Sequence, residues 1–242
     1  AHAEIQGGRL SFNDEQAQAI RNAAEHPLSI ITGGPGVGKT TVVSEIVRRA
    51  RAAKLKIFLV APTGRASKRL SESCRCPAMT IHRLLRWDPG RKRFAYSAKY
   101  PLPCDVIVAD ETSMLDLPLA VYLLRAVARG TTVVMVGDAD QLPSVGPGNF
   151  LNDMIRSGRF AVTKLTRIYR QAEGSRIITN AHAVNRGEMP DLSPVPKDRL
   201  SDFYWIDEDM PEKVVGIVSE MVTQRIPKRF GLDPLRDIQV IT

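Results

Sequence analysis

Three features that define whole classes of protein are scarce or missing in this sequence. The 242 residues include only three cysteines, Cys74, Cys76 and Cys104, which are too few and too unevenly spaced for a disulfide framework or a four-ligand zinc site. No apolar run approaches the roughly 18 residues of a membrane span, and residues 1–8 lack the apolar core of a signal peptide. We therefore expect a cytoplasmic protein with no membrane partner.

Positive charge, in contrast, is in excess, and it is concentrated in one part of the chain. Lys and Arg total 34 against 26 Asp and Glu, so the formal net charge is +8. Residues 48–99 hold fifteen of the basic residues and two of the acidic ones, whereas the rest of the chain is net negative. An overall excess only permits a polyanionic partner, but a segment this basic favours one, such as a nucleic acid.

Short β-branched segments alternate with longer helical ones, which is typical of a parallel sheet with helices on both faces. Several of the strand segments are apolar throughout, as strands buried on both faces are. The predicted fold class is therefore α/β. The predicted strands are 28–32, 56–61, 105–110, 131–137 and 161–165. The predicted helices between them are 13–24, 39–53, 64–73 and 117–129.

Two features modify this simple alternation. Asp88-Pro89-Gly90 is a turn signal between aromatic flanks, and it predicts a hairpin inserted at 86–103. After residue 170 the pattern starts again, with helices predicted at 175–186 and 212–224 and strands at 203–206 and 238–242. The predicted organisation is a leader (1–10), a first domain (11–160) and the beginning of a second domain (161–242). Because the chain stops on a predicted strand, we interpret it as a fragment.

Residues 33–40, Gly-Gly-Pro-Gly-Val-Gly-Lys-Thr, fit the phosphate-loop pattern G-x-x-x-x-G-K-[ST] between a predicted strand and a predicted helix. Glycines let backbone N–H groups turn toward a phosphate, and the helix N-terminus adds the positive end of its dipole. Lys39 would reach the β- and γ-phosphates, and the Thr40 hydroxyl would bind Mg²⁺. The predicted nucleotide-binding residues of this loop are Gly34, Pro35, Gly36, Val37, Gly38, Lys39, Thr40 and Thr41.

Two adjacent carboxylates, Asp110 and Glu111, end an apolar predicted strand. A buried strand end is a costly place for two acidic groups unless they have partners. A cation and a water molecule would provide them, with Asp110 holding Mg²⁺ through its water shell and Glu111 accepting the proton of the attacking water. A solvated strand end is the alternative when the pair is considered alone.

Two glutamines are further candidates for the nucleotide site. Gln141 follows the predicted strand 131–137, and the carboxyl ends of parallel strands meet at one edge of the sheet. It is a candidate to sense the γ-phosphate or position the water, although a turn residue is nearly as good an interpretation. The Gln16 amide can pair with the N6/N7 edge of adenine, which would favour ATP. Its alternative role is in a helix capping box with Asn13.

Six segments in order resemble the motifs of superfamily-1 DNA helicases, and within them the RecD-like group. They are residues 33–41, 61–66, 80–85, 110–114, 137–143 and 169–171. The resemblance implies two RecA-like domains around an ATP site, single-stranded DNA crossing both, translocation from 5′ to 3′, and work in DNA repair or recombination. It also implies that Arg170 reaches the γ-phosphate from the second domain, with Arg167 as a lower-ranked neighbour.

The same resemblance implies contacts with single-stranded DNA and with a duplex junction. A helix start after the second strand would hold a backbone phosphate, and the basic hairpin resembles a pin that splits the duplex. The predicted DNA-binding residues are Thr63, Arg65, Lys68, Thr80, His82, Arg91, Lys92 and Arg93. Taken alone, His82 is more typical of a histidine packed within the protein. An exposed basic hairpin also occurs in proteins that do not bind DNA, so the hairpin alone does not indicate a DNA contact. The flanking Trp87, Phe94 and Tyr96 are candidates to stack on bases.

The leading interpretation is therefore an ATP-hydrolysing DNA helicase motor with Lys39, Glu111, Gln141 and Arg170 as its catalytic residues. The alternatives are an ATP-binding switch module without a nucleic-acid track, or an RNA-directed motor. No T-x-H-x-x-Q-G-like segment of the second domain is present, so we expect these residues alone to bind nucleotide but to hydrolyse it weakly or not at all. Whether the intact protein acts alone or within a helicase–nuclease complex is left open by this sequence.

Overall fold

The computed structural model describes residues 4–6, 9–169, 174–196 and 199–241, and the chain divides into two compact units between Asp191 and Leu192. The strands are β1 (Glu4–Gln6), β2 (Arg9–Ser11), β3 (Leu28–Thr32), β4 (Ile57–Ala61), β5 (Ala78–Thr80), β6 (Trp87–Asp88), β7 (Arg93–Phe94), β8 (Val106–Ala109), β9 (Thr132–Gly137) and β10 (Ala161–Lys164). The helices are α1 (Asp14–Glu25), α2 (Lys39–Ala52), α3 (Gly64–Cys74), α4 (Ile81–Leu85), α5 (Leu117–Arg125), α6 (Phe150–Arg156), α7 (Arg176–Asn185), α8 (Pro211–Glu220) and α9 (Ile226–Phe230). None of the helices in these ranges is long and apolar enough to span a membrane.

The first unit is built on a six-stranded sheet in the order β10–β3–β9–β8–β4–β5, and all of its strand pairs are parallel. Its apolar strands are buried on both faces. Helices α1, α2 and α3 contribute to the core on one face, and α4, α5 and α6 contribute to the core on the other. The predicted α/β class with helices on both faces is confirmed. All five predicted strands form, because long apolar segments are the clearest local signal of buried strands.

The edge strand β5 was not predicted from the sequence. It has three residues, Ala-Met-Thr, and pairs with β4 in the register Leu59 with Ala78 through Ala61 with Thr80. A segment this short shows no periodicity, and its last residue also caps α4. The leader likewise contains structure, because β1 and β2 pair as an antiparallel hairpin.

The predicted boundary at residue 160 is corrected by strand β10. This strand pairs with β3, from Ala161 opposite Ser29 to Lys164 opposite Thr32, and so belongs to the first sheet. The buried Asn22 side chain of α1 also donates a hydrogen bond to Thr163 Oγ1 at 2.9 Å. The first unit therefore extends to Asp191. The sequence pattern identified the strand but held no information about which strand it would pair with.

The second unit, from Leu192, has helices α8 and α9 joined by a π-helical turn, Met221–Arg225. The helix predicted at 212–224 is therefore present. The strands predicted at 203–206 and 238–242 are not formed among the described residues. In this unit those residues are 192–196 and 199–241, and they contain no strand. Strands need hydrogen-bonding neighbours, and apolar residues of both segments, such as Trp205 and Ile241, are exposed instead. That this unit begins a second RecA-like domain stays a prediction.

Candidate nucleotide-binding site

The candidate site lies at the carboxyl edge of strands β3, β9 and β8, which are neighbours in the sheet. The phosphate loop follows β3, Asp138 follows β9, and Asp110 follows β8. Thr32 at the end of β3 ties two of these segments together, because its Oγ1 accepts a hydrogen bond from the backbone N–H of Ala139 at 3.1 Å. The polar ends of three strands therefore meet on one ledge, as the sequence predicts.

The phosphate loop has the backbone geometry that its glycines allow. Gly38 precedes α2 with φ of 86° and Gly36 has φ of 76°, both in the left-handed region that glycine adopts without strain. At Gly33 the carbonyl oxygen of Leu165 approaches so closely that a Cβ atom would collide with it. The loop is thus held between the N-terminus of α2 and the segment that follows β10.

Lys39 points into the loop from the first residue of α2. Its Nζ donates hydrogen bonds to the carbonyl oxygens of Gly33 and Gly34, at 2.5 and 2.9 Å. Burial lowers the pKa of this ammonium group, and the negative charges of Asp138, Glu111 and Asp110 act in the opposite direction. Three carboxylates therefore lie within electrostatic reach of the lysine that is expected to bind phosphate.

Asp110 and Glu111 form a strained and electrostatically unusual pair. Burial raises the pKa of Asp110 to about 6, although the N–H of Glu111 donates to its Oδ1 at 2.9 Å. Glu111 has φ of 53°, a left-handed conformation that is uncommon for a residue other than glycine. Strain of this kind persists where surrounding structure enforces it. Here Thr112 is completely buried and its hydroxyl donates to the carbonyl oxygen of Val136 at 2.9 Å.

The oxygen groups of this ledge fit a magnesium ion that is delivered with its nucleotide. Thr40 is exposed in the first turn of α2, and Asp110 directly follows β8 at the same edge of the sheet. Mg²⁺ prefers hard oxygen ligands, commonly one or two from protein beside phosphate and water. No cluster of three or more metal-binding side chains occurs in the described part of the chain.

Gln16 forms the predicted capping box, and the amide nitrogen of its side chain takes no part in that box. The Gln16 N–H donates to Asn13 Oδ1 at 2.8 Å, and its own Oε1 accepts from the Asn13 N–H at 3.3 Å, which completes a capping box. The side chain is fully buried, and Nε2 has no hydrogen-bond partner within the described part of the chain. Buried amide donors normally have partners, so this donor is one that a ligand acceptor could satisfy if it reached the site.

The other predicted catalytic residues are less constrained. Gln141 lies in the exposed turn after β9, where its N–H donates to the carbonyl oxygen of Asp138 at 3.2 Å. Arg170 lies outside the described residues, so its role stays a prediction. Asp138, which the sequence-based site did not include, is almost completely buried, and its carboxylate accepts the N–H of Asp140 at 3.1 Å. Its position directly after β9, like that of Asp110 after β8, was the available signal.

The predicted DNA-binding residues form the neighbouring part of the same edge. Thr63 follows β4, and Thr80 is the last residue of the adjacent strand β5. Their hydroxyl oxygens cap α3 and α4 by accepting backbone N–H groups at 3.2 Å. Arg65, Lys68 and His82 are exposed. His82 is therefore not packed in the core. Three exposed side chains and two helix-capping threonines therefore lie near the ends of these strands.

The predicted hairpin is present as β6 and β7, with Trp87 opposite Phe94. Arg91, Lys92 and Arg93 are exposed at its turn. Asp88 Oδ1 closes the turn by accepting the N–H groups of Gly90 and Arg91, at 3.0 and 3.1 Å.

The base of the hairpin packs on the first unit through aromatic rings. The Phe94 ring lies 4.8 Å from Trp87 and 4.9 Å from Tyr122 of α5, measured between centroids. Phe94 is therefore committed to protein contacts, whereas Trp87 stays exposed. Helix α5 is in turn bonded to the loop after Gln141, because the N–H of Leu117 donates to the carbonyl oxygen of Pro147 at 2.9 Å.

Two residues that the sequence did not single out also contact the site. The Glu15 carboxylate accepts both the N–H and the hydroxyl of Thr166, at 2.8 and 2.5 Å, and these bonds lower its pKa against the effect of burial. His182 Nε2 lies 3.0 Å from the carbonyl oxygen of Pro35. These partners are separated by 151 and 147 positions in the chain, so no local pattern could have revealed them.

Comparisons with known proteins agree with this geometry. A protein-family model described as an AAA domain matches residues 16–147, more than half of the chain. The ATP-dependent RecD2 DNA helicase of Deinococcus radiodurans is 40% identical over 182 residues, covering 75% of this chain and 25% of that protein. The RecBCD enzyme subunit RecD of Mycobacterium tuberculosis is 38% identical over 223 residues, covering 82% of this chain and 39% of that protein. The chain thus spans well under half the length of these relatives.

Among solved structures, the Pif1 helicase from Candida albicans has a similar fold. It aligns with a TM-score of 0.58 at 18% sequence identity, covering 89% of this chain and 55% of that one. At this identity the likeness shows the fold alone.

Proposed function

The chain belongs to the AAA-domain family and to its RecD-like helicases, as the six sequence segments predict, and from this membership we propose that it is the ATP-binding part of a DNA helicase motor. One observation carries the proposal. Lys39 of the phosphate loop lies within electrostatic reach of three carboxylates, Asp110, Glu111 and Asp138, which follow the neighbouring strands β8 and β9. A passive nucleotide switch needs the loop and the lysine, whereas a hydrolase also needs a base to activate water.

In the proposed reaction, Lys39 exchanges its bonds to the Gly33 and Gly34 carbonyl oxygens for the β- and γ-phosphates of ATP. Glu111 accepts a proton from the attacking water. Thr40 and Asp110 would hold Mg²⁺, which would supply positive charge to neutralise the phosphates. Gln141 and Arg170 complete the set as the γ-phosphate sensor and the residue that stabilises the transition state, and Gln16 selects adenine.

We propose that single-stranded DNA lies along the edge formed by the ends of β4 and β5, beside the ATP site. Support comes from the exposed basic side chains of the segment 48–99 and from the helix N-termini of α3 and α4, which suit backbone phosphates. In the intact protein, ATP binding and hydrolysis would drive translocation from 5′ to 3′, and the basic hairpin would meet the duplex junction. The names of the relatives favour a DNA helicase over a switch module, and they fit either a stand-alone enzyme or a subunit of a helicase–nuclease complex.

ATP turnover of the full-length protein with different polymers tests this proposal. We expect single-stranded DNA to stimulate turnover, and Lys39→Ala to abolish it while Lys213→Ala, an exposed lysine of the second unit, does not. Stimulation by RNA alone would point to an RNA-directed motor. If neither DNA nor RNA changes the rate of ATP turnover, and DNA affinity does not depend on salt, the switch module would be favoured.

A further inference from the structure

Four successive carbonyl groups of the phosphate loop each accept a hydrogen bond. Lys39 Nζ donates to those of Gly33 and Gly34. His182 Nε2 lies 3.0 Å from the carbonyl oxygen of Pro35, and the backbone N–H of Tyr169 donates to that of Gly36 at 3.5 Å. A carbonyl oxygen can only accept, so the His182 Nε2 atom carries the hydrogen. The first two bonds come from the loop's own lysine, and the last two come from chain beyond β10.

The His182 ring of helix α7 packs against the phosphate loop. A Cβ atom at Gly34 would lie 2.7 Å from His182 Cε1, so the ring occupies the space that a side chain there would need. The helix itself is held by other groups. The buried Asn180 side chain exchanges two hydrogen bonds with the backbone of Asp191, at 3.0 and 2.8 Å. The helix is therefore bonded to the chain that follows it through a residue other than His182.

The direction of a carbonyl group determines the direction of the amide that follows it. A peptide unit is planar and trans, so its C=O and N–H point to opposite sides. When His182 holds the Pro35 oxygen on one side, the N–H of Gly36 faces the other. Backbone N–H groups of such a loop are the groups that surround a bound phosphate. The His182 bond, unlike those of Lys39, uses no group that the phosphate itself requires.

We propose that His182 is a positioning residue of the nucleotide site, which orients the Gly36 amide toward the phosphates through its hydrogen bond to Pro35. This rests on the proposed ATP-binding function and adds a residue from chain beyond β10 to it. A single neutral hydrogen bond of this kind corresponds to a loss of about 3- to 10-fold in affinity. The effect should be confined to ligands whose phosphates enter the loop.

The test measures the affinities of ADP and AMP and the KM and kcat for ATP in the full-length protein, for His182→Ala, His182→Gln and Val184→Ala. Glutamine carries an amide donor that can replace Nε2, and Val184 is an exposed residue of the same helix. We expect His182→Ala to weaken ADP binding about 3- to 10-fold and to raise KM. AMP affinity should stay at the value of Val184→Ala, and His182→Gln should recover most of the ADP affinity.

The proposal is overturned if His182→Ala binds ADP as Val184→Ala does, or if His182→Gln is no better than alanine. Should the alanine variant not fold, His182→Phe keeps the ring volume without the donor and makes the same comparison with His182→Gln. ADP affinity is measured without turnover. An unmodified protein that binds ADP but shows no DNA-stimulated hydrolysis would contradict the proposed function and leave this inference intact.

Discussion

Replacing Gln16 with alanine separates adenine recognition from helix capping. The Gln16 side chain is fully buried, with Oε1 in the capping box and Nε2 without a partner among the residues that the structure describes. Adenine offers an acceptor at N7 and a donor at N6, which match the two ends of an amide, whereas guanine offers two acceptors. We therefore expect Gln16→Ala to lower the affinity for ATP and to leave that for GTP nearly unchanged.

The size of the effect follows from the two hydrogen bonds. Each neutral bond contributes about 0.5–1.5 kcal/mol, so the pair contributes about 1–3 kcal/mol. Because Oε1 already accepts from Asn13 at 3.3 Å, the gain at that end is the smaller one. We expect the lower half of the range, a loss of roughly 5- to 30-fold in ATP affinity, with each 1.4 kcal/mol or so counting as a factor of ten.

The assay is competition of ATP and of GTP against a fluorescent ADP analogue, and Asn13→Ala is its matched control. Asn13 Oδ1 accepts the Gln16 N–H at 2.8 Å, so its loss removes the cap, at a cost of about 1 kcal/mol in stability, but keeps the amide. The control should retain the preference for ATP. Equal losses of ATP and GTP affinity in Gln16→Ala would mean that Gln16 is only a helix cap, and the reasoning would be refuted.

Three further predictions concern the ledge and the DNA edge. Glu111→Gln should retain ATP binding but lower single-turnover hydrolysis by about 10²- to 10⁴-fold; normal turnover would show that another group is the base. Burial raises the pKa of Asp110 from its usual 3.8 to about 6, so the folded state carries a penalty that grows as pH rises through this interval. Asp110→Asn, without nucleotide and Mg²⁺, should therefore raise the free energy of unfolding at pH 7 by at most about 3 kcal/mol, and the gain should vanish below about pH 4; denaturant titrations that show no such pH dependence would contradict it. Arg65→Ala should reduce the slope of log DNA affinity against log salt by about one, whereas Lys213→Ala, an exposed lysine outside the basic segment 48–99, should not.

The phosphate loop and the Asp110–Glu111 pair could be predicted because each is a contiguous pattern whose chemistry is local. The same holds for the buried strands, since a run of apolar residues is visible without knowledge of its neighbours. The capping role and the adenine-binding role of Gln16 were both open from sequence; the structure shows the capping box, and the adenine-binding role stays a prediction.

Pairing partners and long-range contacts could not be predicted in this way. Strand β10 was recognised but assigned to the wrong unit, because its pairing with β3 is a property of the assembled sheet. Glu15 and His182 meet their partners across about 150 positions, and nothing near them in sequence marks them. The left-handed φ of Glu111 is likewise not marked by its residue type, since this conformation is uncommon outside glycine.

The aromatic base of the hairpin has a mechanical consequence. Phe94 is held between Trp87 and Tyr122, and the helix carrying Tyr122 is bonded through Leu117 to the loop that follows Gln141. The basic turn is therefore connected to the proposed ATP site through packed aromatic rings, helix α5 and the loop after Gln141. If the hairpin meets the duplex junction as proposed, a force on its turn would act through these contacts on the residues around the nucleotide.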